Sequence, residues 1–330
     1  MKKYTRGRIS RRKLFAGLCL LLILFVWLNN TSLFLDKSGQ YRFLAHRGLT
    51  QTFDVSSVEW DTNTAEIIDP PEHPYLENTI ESMRVAFECG AQCVELDVQL
   101  TKDGALAVFH DGDLSMRTDG YRSVGDWTMA ELKELDVGYG YTADGGATYP
   151  FRGQGKGLMP ELGEVLEAFP DEKLLIHINQ GGAETAQVLW ARLKDLPEAR
   201  LDQIAFYGSE EAMAYLRAQK SDLGVLSASR LKEALLKYEL LGWTGYIPQE
   251  LRDMELHIPL KYAKFLWGWP GKFMERMDSV NARVVLVAGD GKWSEGFDTV
   301  ESLAEIPEGY DGYVWTNRID RVGEVSGEVG

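Results

Sequence analysis

Two hydrophobic rhythms divide this chain. Residues 14–28 form an unbroken apolar run, whereas from Gln40 onward short apolar runs alternate with stretches whose apolar positions recur at helical spacing. Such alternation predicts strands and helices exchanging in a parallel sheet. The strands read as Phe43–Gly48, Cys93–Leu100, Ala105–Asp111, Lys173–Asn179, Gln203–Tyr207, Leu223–Ser227, Tyr262–Trp267, Arg283–Ala288 and Gly312–Thr316. Helices are expected from Thr79, a good N-cap, through Glu88, then from Pro160, and over Glu184–Leu196, Glu210–Lys220, Leu231–Leu241 and Phe273–Val280. A strand count near eight predicts a closed (β/α)8 barrel, the TIM-barrel class of α/β fold, rather than an open doubly wound sheet. Nine candidates for eight places make one late segment irregular.

Two stretches break the rhythm. Leu49–Leu76 is long for a connection and carries Asp54, Glu59, Trp60, Asp61, Glu66, Asp69 and Glu72. It is either a solvated acidic excursion or a cap controlling substrate access. Gly112–Leu158 is rich in Gly, Asp and Tyr, with one helical piece near Thr128–Leu135. Its Tyr139, Tyr141, Tyr149 and Phe151 either line a pocket for a lipid or glycerol group or form a small core of their own.

Charge sharpens the reading of the N-terminus. The chain carries a net −15, yet residues 1–13 contain Lys2, Lys3, Arg6, Arg8, Arg11, Arg12 and Lys13 with no acid. The remainder is still more acidic, which argues against a nucleic-acid partner. Seven cations directly before the apolar run argue against a buried helix. Extended by Leu33–Leu35, the run approaches the roughly 20 residues of a membrane span. Asn29-Asn-Thr-Ser-Leu33 offers no A-x-A-like cleavage site, so the reading is a basic cytoplasmic end over 1–13, an uncleaved signal anchor over 14–35, and an extracytoplasmic (periplasmic or extracellular) domain over 40–320. Export with release after cleavage is the alternative. Ser10-Arg-Arg-Lys-Leu-Phe15 loosely resembles a twin-arginine signal, which leads to the same side. Cys89 and Cys93 read as small core residues rather than a disulfide.

The chemistry concentrates in Cys93–Leu100 and Ala105–Asp111, two buried strands joined by the Thr101-Lys-Asp-Gly104 turn. Glu95 and Asp97 fall on one strand face about 7 Å apart along the backbone. Two such carboxylates repel unless a cation lies between them or basic side chains pair with them. A hard divalent ion takes oxygen ligands, so the pair is half of a metal site, and His110 adds a proton-transfer group beside it.

Tyr41-Arg-Phe-Leu-Ala-His-Arg-Gly48, Leu76-Glu-Asn-Thr79, Glu95-Leu-Asp97, Thr101-Lys-Asp-Gly104 and His110-Asp111 follow one another in an order and spacing that resembles the glycerophosphodiester phosphodiesterase family. Leu114, Arg117-Thr118, Thr128, Glu131-Leu132, Pro160-Glu-Leu162 and Asp311-Gly-Tyr-Val-Trp-Thr316 extend the resemblance over roughly Arg42–Arg318. It implies a TIM barrel with an insertion at about 112–158, His46 and His110 as the general acid/base pair, and Arg47 as phosphate ligand. It further implies Glu95 and Asp97 as metal ligands, with Glu77 and Asn78 lining the site. The activity implied is metal-dependent hydrolysis of a glycerophosphodiester, or a lysophospholipid-like diester, to an alcohol and glycerol 3-phosphate. A phospholipase D-like action on intact lipid and a catalytically silent phosphodiester-binding barrel are the alternatives.

One departure stands out. The family's fourth strand ends in Glu-x-Lys, where this chain has His177 and Asn179. His177 is then the third metal ligand, keeping Mg2+ or Ca2+ in view while admitting softer ions. Asn179 contacts phosphate without the positive charge of Lys, leaving Lys102 and Arg117 as other sources of charge. His73 and His257 read as surface or packing residues.

Overall fold

The computed structural model describes residues 10–35, 40–59, 62–292 and 295–323. The apolar runs become β1 (Arg42–Ala45), β2 (Ala91–Leu100), β3 (Leu106–Val108), β4 (Leu174–Ile178), β5 (Ile204–Gly208), β6 (Gly224–Leu226), β7 (Glu255–Pro259), β8 (Arg283–Val287) and β9 (Tyr313–Thr316). All but β3 pair in the order β6-β5-β4-β2-β1-β9-β8-β7, and a parallel bridge between Val225 and Met254 joins the two ends. The architecture is the expected (β/α)8 barrel. Leu44, Cys93, Leu175, Ala205, Val285, Tyr313 and Trp315 form one buried apolar cluster. The alternate strand residues pack against the helices that follow them. Those helices are α2 (Ile80–Glu88), α3 (Leu162–Ala168), α4 (Gly182–Leu193), α5 (Glu210–Gln219), α6 (Ala228–Leu241) and α7 (Gly271–Asp278), with α1 (Arg11–Asn30) preceding the barrel. Neither Cys89 nor Cys93 is disulfide-bonded.

Two strand assignments are corrected. The third candidate is not a barrel stave: β3 runs antiparallel to β2, pairing Val98 with Val108 and Leu100 with Leu106. The Asp103-Gly104 turn, with Gly104 at φ +79°, reverses the chain at once, and parallel pairing needs a crossover of about a dozen residues. The surplus strand is therefore an early one rather than a late one. Tyr262–Trp267, aromatic and strand-like by composition, lies beyond its strand; the stave is Glu255–Pro259, after which residues 260–263 turn into a short helix.

The two irregular stretches pack together. Ala65, Ile68 and Leu76 of the first share a second core with Leu114, Leu132, Val137, Tyr141 and Phe151 of the second, so the insertion's buried aromatics build a core of their own. Tyr139 and Tyr149 instead flank Arg152, whose guanidinium lies 3.9 and 3.5 Å from the two ring centres. Trp60 and Asp61 lie outside the described residues.

α1 is capped by Ser10 and has no buried residue. It is long and apolar enough to cross a membrane. The cations of residues 1–9 lie outside the described residues.

Gly48 fixes how α2 seats on the β1 turn. At φ +81°, an added Cβ would sit 2.6 Å from Ser82 Oγ and 2.7 Å from the Met83 nitrogen. Gly48→Ala is expected to cost about 2 kcal/mol of stability through clash and backbone strain. A chemical-denaturation midpoint equal to that of the parent would refute this.

Candidate active site

The site begins where β1 ends. Arg47 takes φ +55° and Asn78 takes φ +59°, a rare conformation for non-glycine residues that tends to collect at functional sites. The Asn78 N–H donates to the Arg47 carbonyl at 2.9 Å, and the Arg47 N–H donates to Glu95 Oε2 at 3.1 Å. So folded, the Arg47 guanidinium lies over β2, with Nη1 2.7 Å from Glu77 Oε1 and Nε 3.1 Å from Asp97 Oδ2. Asn78 Nδ2 donates to the same Asp97 oxygen at 2.8 Å, while its Oδ1 accepts the Asp97 N–H at 3.1 Å. Glu77 and Asn78 thus hold the Arg47 guanidinium and the Asp97 carboxylate in place, and of the two Glu77 also lines the cavity.

Glu95 and Asp97 are buried, and strand alternation puts them side by side as expected. Register across the sheet sets Asp97 opposite His177 on β4, and His177 opposite Tyr207 on β5. His177 Nδ1 lies 2.7 Å from Asp97 Oδ1, its ring stacks on Tyr207 at 4.0 Å, and the Tyr207 hydroxyl donates to Glu95 Oε1 at 2.6 Å. One donor atom from each of Glu95, Asp97 and His177 lies within 4.8 Å of the others. Burial and the charge of Asp97 push Glu95 well up. Asp97 is held well down: burial opposes ionisation, but the charge of Arg47 overcomes it. Three enclosed carboxylates, Glu77, Asp97 and Asp111, pair with the guanidiniums of Arg47 and Arg117, and a fourth, Glu95, accepts only the Arg47 backbone N–H from this pair of residues. The cluster is short of positive charge, and a divalent ion on two oxygens and one imidazole nitrogen fits that shortage.

His46 Nδ1 lies 2.7 Å from Asn317 Oδ1. Asp298 accepts both the Asn317 N–H, at 2.6 Å, and its side-chain Nδ2, at 2.9 Å, so the amide oxygen must face His46. The imidazole therefore donates through Nδ1 and leaves Nε2 unprotonated, 3.8 Å from Glu95 Oε2. Burial, then the charge of Arg47, lower its pKa to about 3, so the ring is neutral at pH 7.

His110 reaches the rim by another path. It follows the descending arm of the β2–β3 hairpin, anchored where the Phe109 N–H donates to the Asp97 carbonyl at 3.2 Å, rather than ending a barrel strand. Its Nδ1 is 2.9 Å from Asp111 Oδ1, and Asp111 Oδ2 pairs with Arg117 Nε at 2.7 Å. Asn179 lies at the end of β4 as expected, and its Nδ2 donates to the His110 carbonyl. Lys102 is exposed in the hairpin turn, with its backbone N–H bonded to the Trp127 carbonyl, and does not line the cavity; buried Arg117 does lie behind Glu77 and Asp111. His73 packs on Tyr75 and meets Gln51. His257 packs between Tyr207 and Trp315, inside the barrel.

His46, Arg47, Glu77, His110 and Asn179 open into one cavity of about 780 Å3. Thr50, Gln51, Thr52, Phe53, Val55 and Val58 wall it, which favours the cap reading of the 49–76 loop. Ion pairs of 2.7 Å from Glu72 to Arg318 and to Arg321 fasten that loop to the barrel. Sequence reading missed Tyr207, Asn317 and Asp298. Tyr207 ends a strand, and Asn317 follows β9, so their places at strand C-termini were the available signal.

A parallel barrel with two histidines, two arginines and a buried carboxylate cluster at the strand ends defines a rim site for an anionic ligand and a cation. Residues 46–268 match the glycerophosphoryl diester phosphodiesterase family, and the chain belongs to it. A glycerophosphodiester phosphodiesterase of Caldanaerobacter subterraneus subsp. tengcongensis is 41% identical over 102 residues, 31% of this chain and 38% of that protein. The chain thus spans well under half of that relative's length. Among solved structures, the glycerophosphoryl diester phosphodiesterase domain of an uncharacterized Mycobacterium tuberculosis protein aligns with TM-score 0.60 at 17% identity, covering 87% of this chain and 99% of that one. An Oleispira antarctica phosphodiesterase, in complex with the product sn-glycerol-3-phosphate, aligns with TM-score 0.54 at 20% identity, covering 88% and 97%. At such identities the likeness is one of fold.

Proposed function

We propose that this protein is a membrane-anchored, extracytoplasmic phosphodiesterase. It hydrolyses a glycerophosphodiester to an alcohol and glycerol 3-phosphate, or a lysophospholipid-like diester to an alcohol and the acylated glycerol 3-phosphate, with Glu95, Asp97 and His177 as the residues that would hold one divalent ion. The observation that carries the reading is the pairing, in one cavity, of His46 fixed with an unprotonated Nε2 and His110 braced by Asp111. The names of the Caldanaerobacter relative and of the Oleispira complex favour the same substrate class.

Diester hydrolysis needs a proton taken from the attacking oxygen, a proton given to the leaving alkoxide, and cover for phosphate charge. His46 Nε2 takes the first, because the Asn317 acceptor holds the ring proton on Nδ1 and leaves Nε2 with its lone pair free. His110 gives the second, its Nδ1 held by Asp111 so that Nε2 is the nitrogen left to face substrate. Arg47 and Asn179 meet the phosphate oxygens. The divalent ion, when bound, polarises a phosphate oxygen.

The test is a panel of glycerophosphodiesters, with and without chelator. Release of glycerol 3-phosphate, lost on chelation and restored by Mg2+ or Ca2+, is expected; silence toward every diester would leave a binding barrel only. Topology has its own check, because the cation excess of 1–13 is one-sided. A reporter fused after Gly330 should be active outside the cytoplasm, and activity only inside would overturn the orientation.

A further inference from the structure

α1 does not merely trail from the barrel; a specific joint binds its last turn. Buried Arg276 of α7 donates through Nη2 to the Asn29 carbonyl at 2.8 Å and through Nη1 to Asn30 Oδ1 at 3.1 Å. A guanidinium there meets the negative end of the helix dipole and the carbonyls that a helix end leaves unpaired. Asn29 and Asn30 both donate from Nδ2 to the Trp243 carbonyl, at 3.0 and 2.9 Å, and the Lys272 N–H donates to Ser32 Oγ at 3.1 Å. Gly271 leaves room for this contact, since a Cβ there would lie 3.1 Å from Ser32 Oγ. The point at which the apolar helix leaves the barrel is therefore fixed.

An apolar row runs across the surface around that point, with exposed Glu239 and Glu275 beside it. On α6, Leu236 and Leu240 are one turn apart and 58% and 73% exposed, and half-buried Trp243 continues the row three residues on. Exposed Leu241 and Tyr246 flank it, and Leu33 and Phe34, just past α1, are 69% and 75% exposed. Lys232, one turn before Leu236, ends the row with a cation. Leucines and aromatics with a terminal lysine suit the boundary between acyl chains and headgroups, where Trp and Tyr gather and Lys reaches outward.

We infer that this face, built from α6 and residues 33–34 around the Arg276 joint, rests on the lipid surface, so that the barrel is docked on the bilayer in one orientation and not suspended from a tether. The inference rests on α1 being a membrane anchor. Lipid is the occupant because the face is continuous with an apolar helix that has no buried residue of its own. The acidic net charge of the chain, −15, makes attraction to anionic headgroups a poor substitute for this apolar contact.

The test uses the full chain reconstituted into phosphatidylcholine–phosphatidylglycerol vesicles. An environment-sensitive fluorophore is attached singly at native Cys19 within α1, at Leu240→Cys, or at Arg84→Cys on α2 across the barrel, with Cys89, and Cys19 where it is not the label site, replaced by Ser. A quencher carried on the lipid acyl chain should quench the labels at 19 and 240 and spare the one at 84. Quenching at 19 alone would overturn the docked face while the anchor stands. No quenching at 19 would remove the anchor and the docking with it. Protection of position 240 from aqueous iodide without lipid quenching would mean that a second copy covers the face, and would equally overturn the inference.

Discussion

His46→Ala is expected to lower kcat by on the order of 10²–10⁴, and His110→Ala by a similar factor, because each removes a positioned proton-transfer group. The two losses should differ in kind. His46 is buried and oriented through Asn317 and Asp298 with Nε2 unprotonated, and the proposed mechanism gives it the role of base. Asn317→Leu would remove the acceptor that fixes the Nδ1–H tautomer, and should lower kcat more than it raises KM, since the ring remains while its basic nitrogen is no longer aimed. His110→Ala acts on the leaving group, so a diester with a more acidic leaving alcohol should recover much of the loss in that variant and little of it in His46→Ala. Turnover on a glycerophosphodiester, with circular dichroism to confirm the fold, checks this. Unchanged turnover in either alanine variant would remove that residue from the mechanism, and equal recovery in both would undo the division of roles.

What the sequence disclosed here was local, and what it withheld was tertiary. Glu95 and Asp97 share a face because strands alternate, and His46-Arg47, Glu77-Asn78 and His110-Asp111 are adjacent pairs, so short-range rules placed them. The barrel followed from the alternation of strands and helices. Asp97 and His177 are opposed by sheet register across 80 positions, and the Tyr207 ring stacked on His177 comes from a further strand. No period in the sequence encodes such pairing. His110 reaches the cavity by another route than the one read from the sequence: it was placed at a stave end, whereas a hairpin returns it to the rim. The error over Tyr262–Trp267 has a propensity origin, since aromatic runs suit strands, but Glu255-Leu-His-Ile-Pro259 alternates equally well and connects directly to the register of β8.

Asp97→Asn is expected to lower divalent-metal affinity by at least on the order of 10², and kcat with it, because Asp97 is where the cluster converges. It meets Arg47, Asn78 and His177 at once. Removing its charge also leaves Arg47 with one carboxylate fewer in a buried setting, so some stability should go as well. Glu95→Gln separates the two effects: Glu95 is the carboxylate pushed up toward neutrality, so its amide should cost less stability while still losing the ion. In the proposed site the fourth strand would set which ion is preferred. His177 Nδ1 either donates to Asp97 Oδ1, as it is placed to do, or binds metal; it does not do both. If it binds, His177→Glu should make an all-oxygen set and shift preference toward Mg2+ or Ca2+, while Asn179→Lys should chiefly improve turnover by returning a positive charge to the phosphate. Titration calorimetry of each variant with Mg2+, Ca2+ and Zn2+ reads this directly. If Zn2+ affinity is the same with His177 and with His177→Gln, the ring serves only to orient Asp97 and stack on Tyr207, and the metal belongs to the two carboxylates alone.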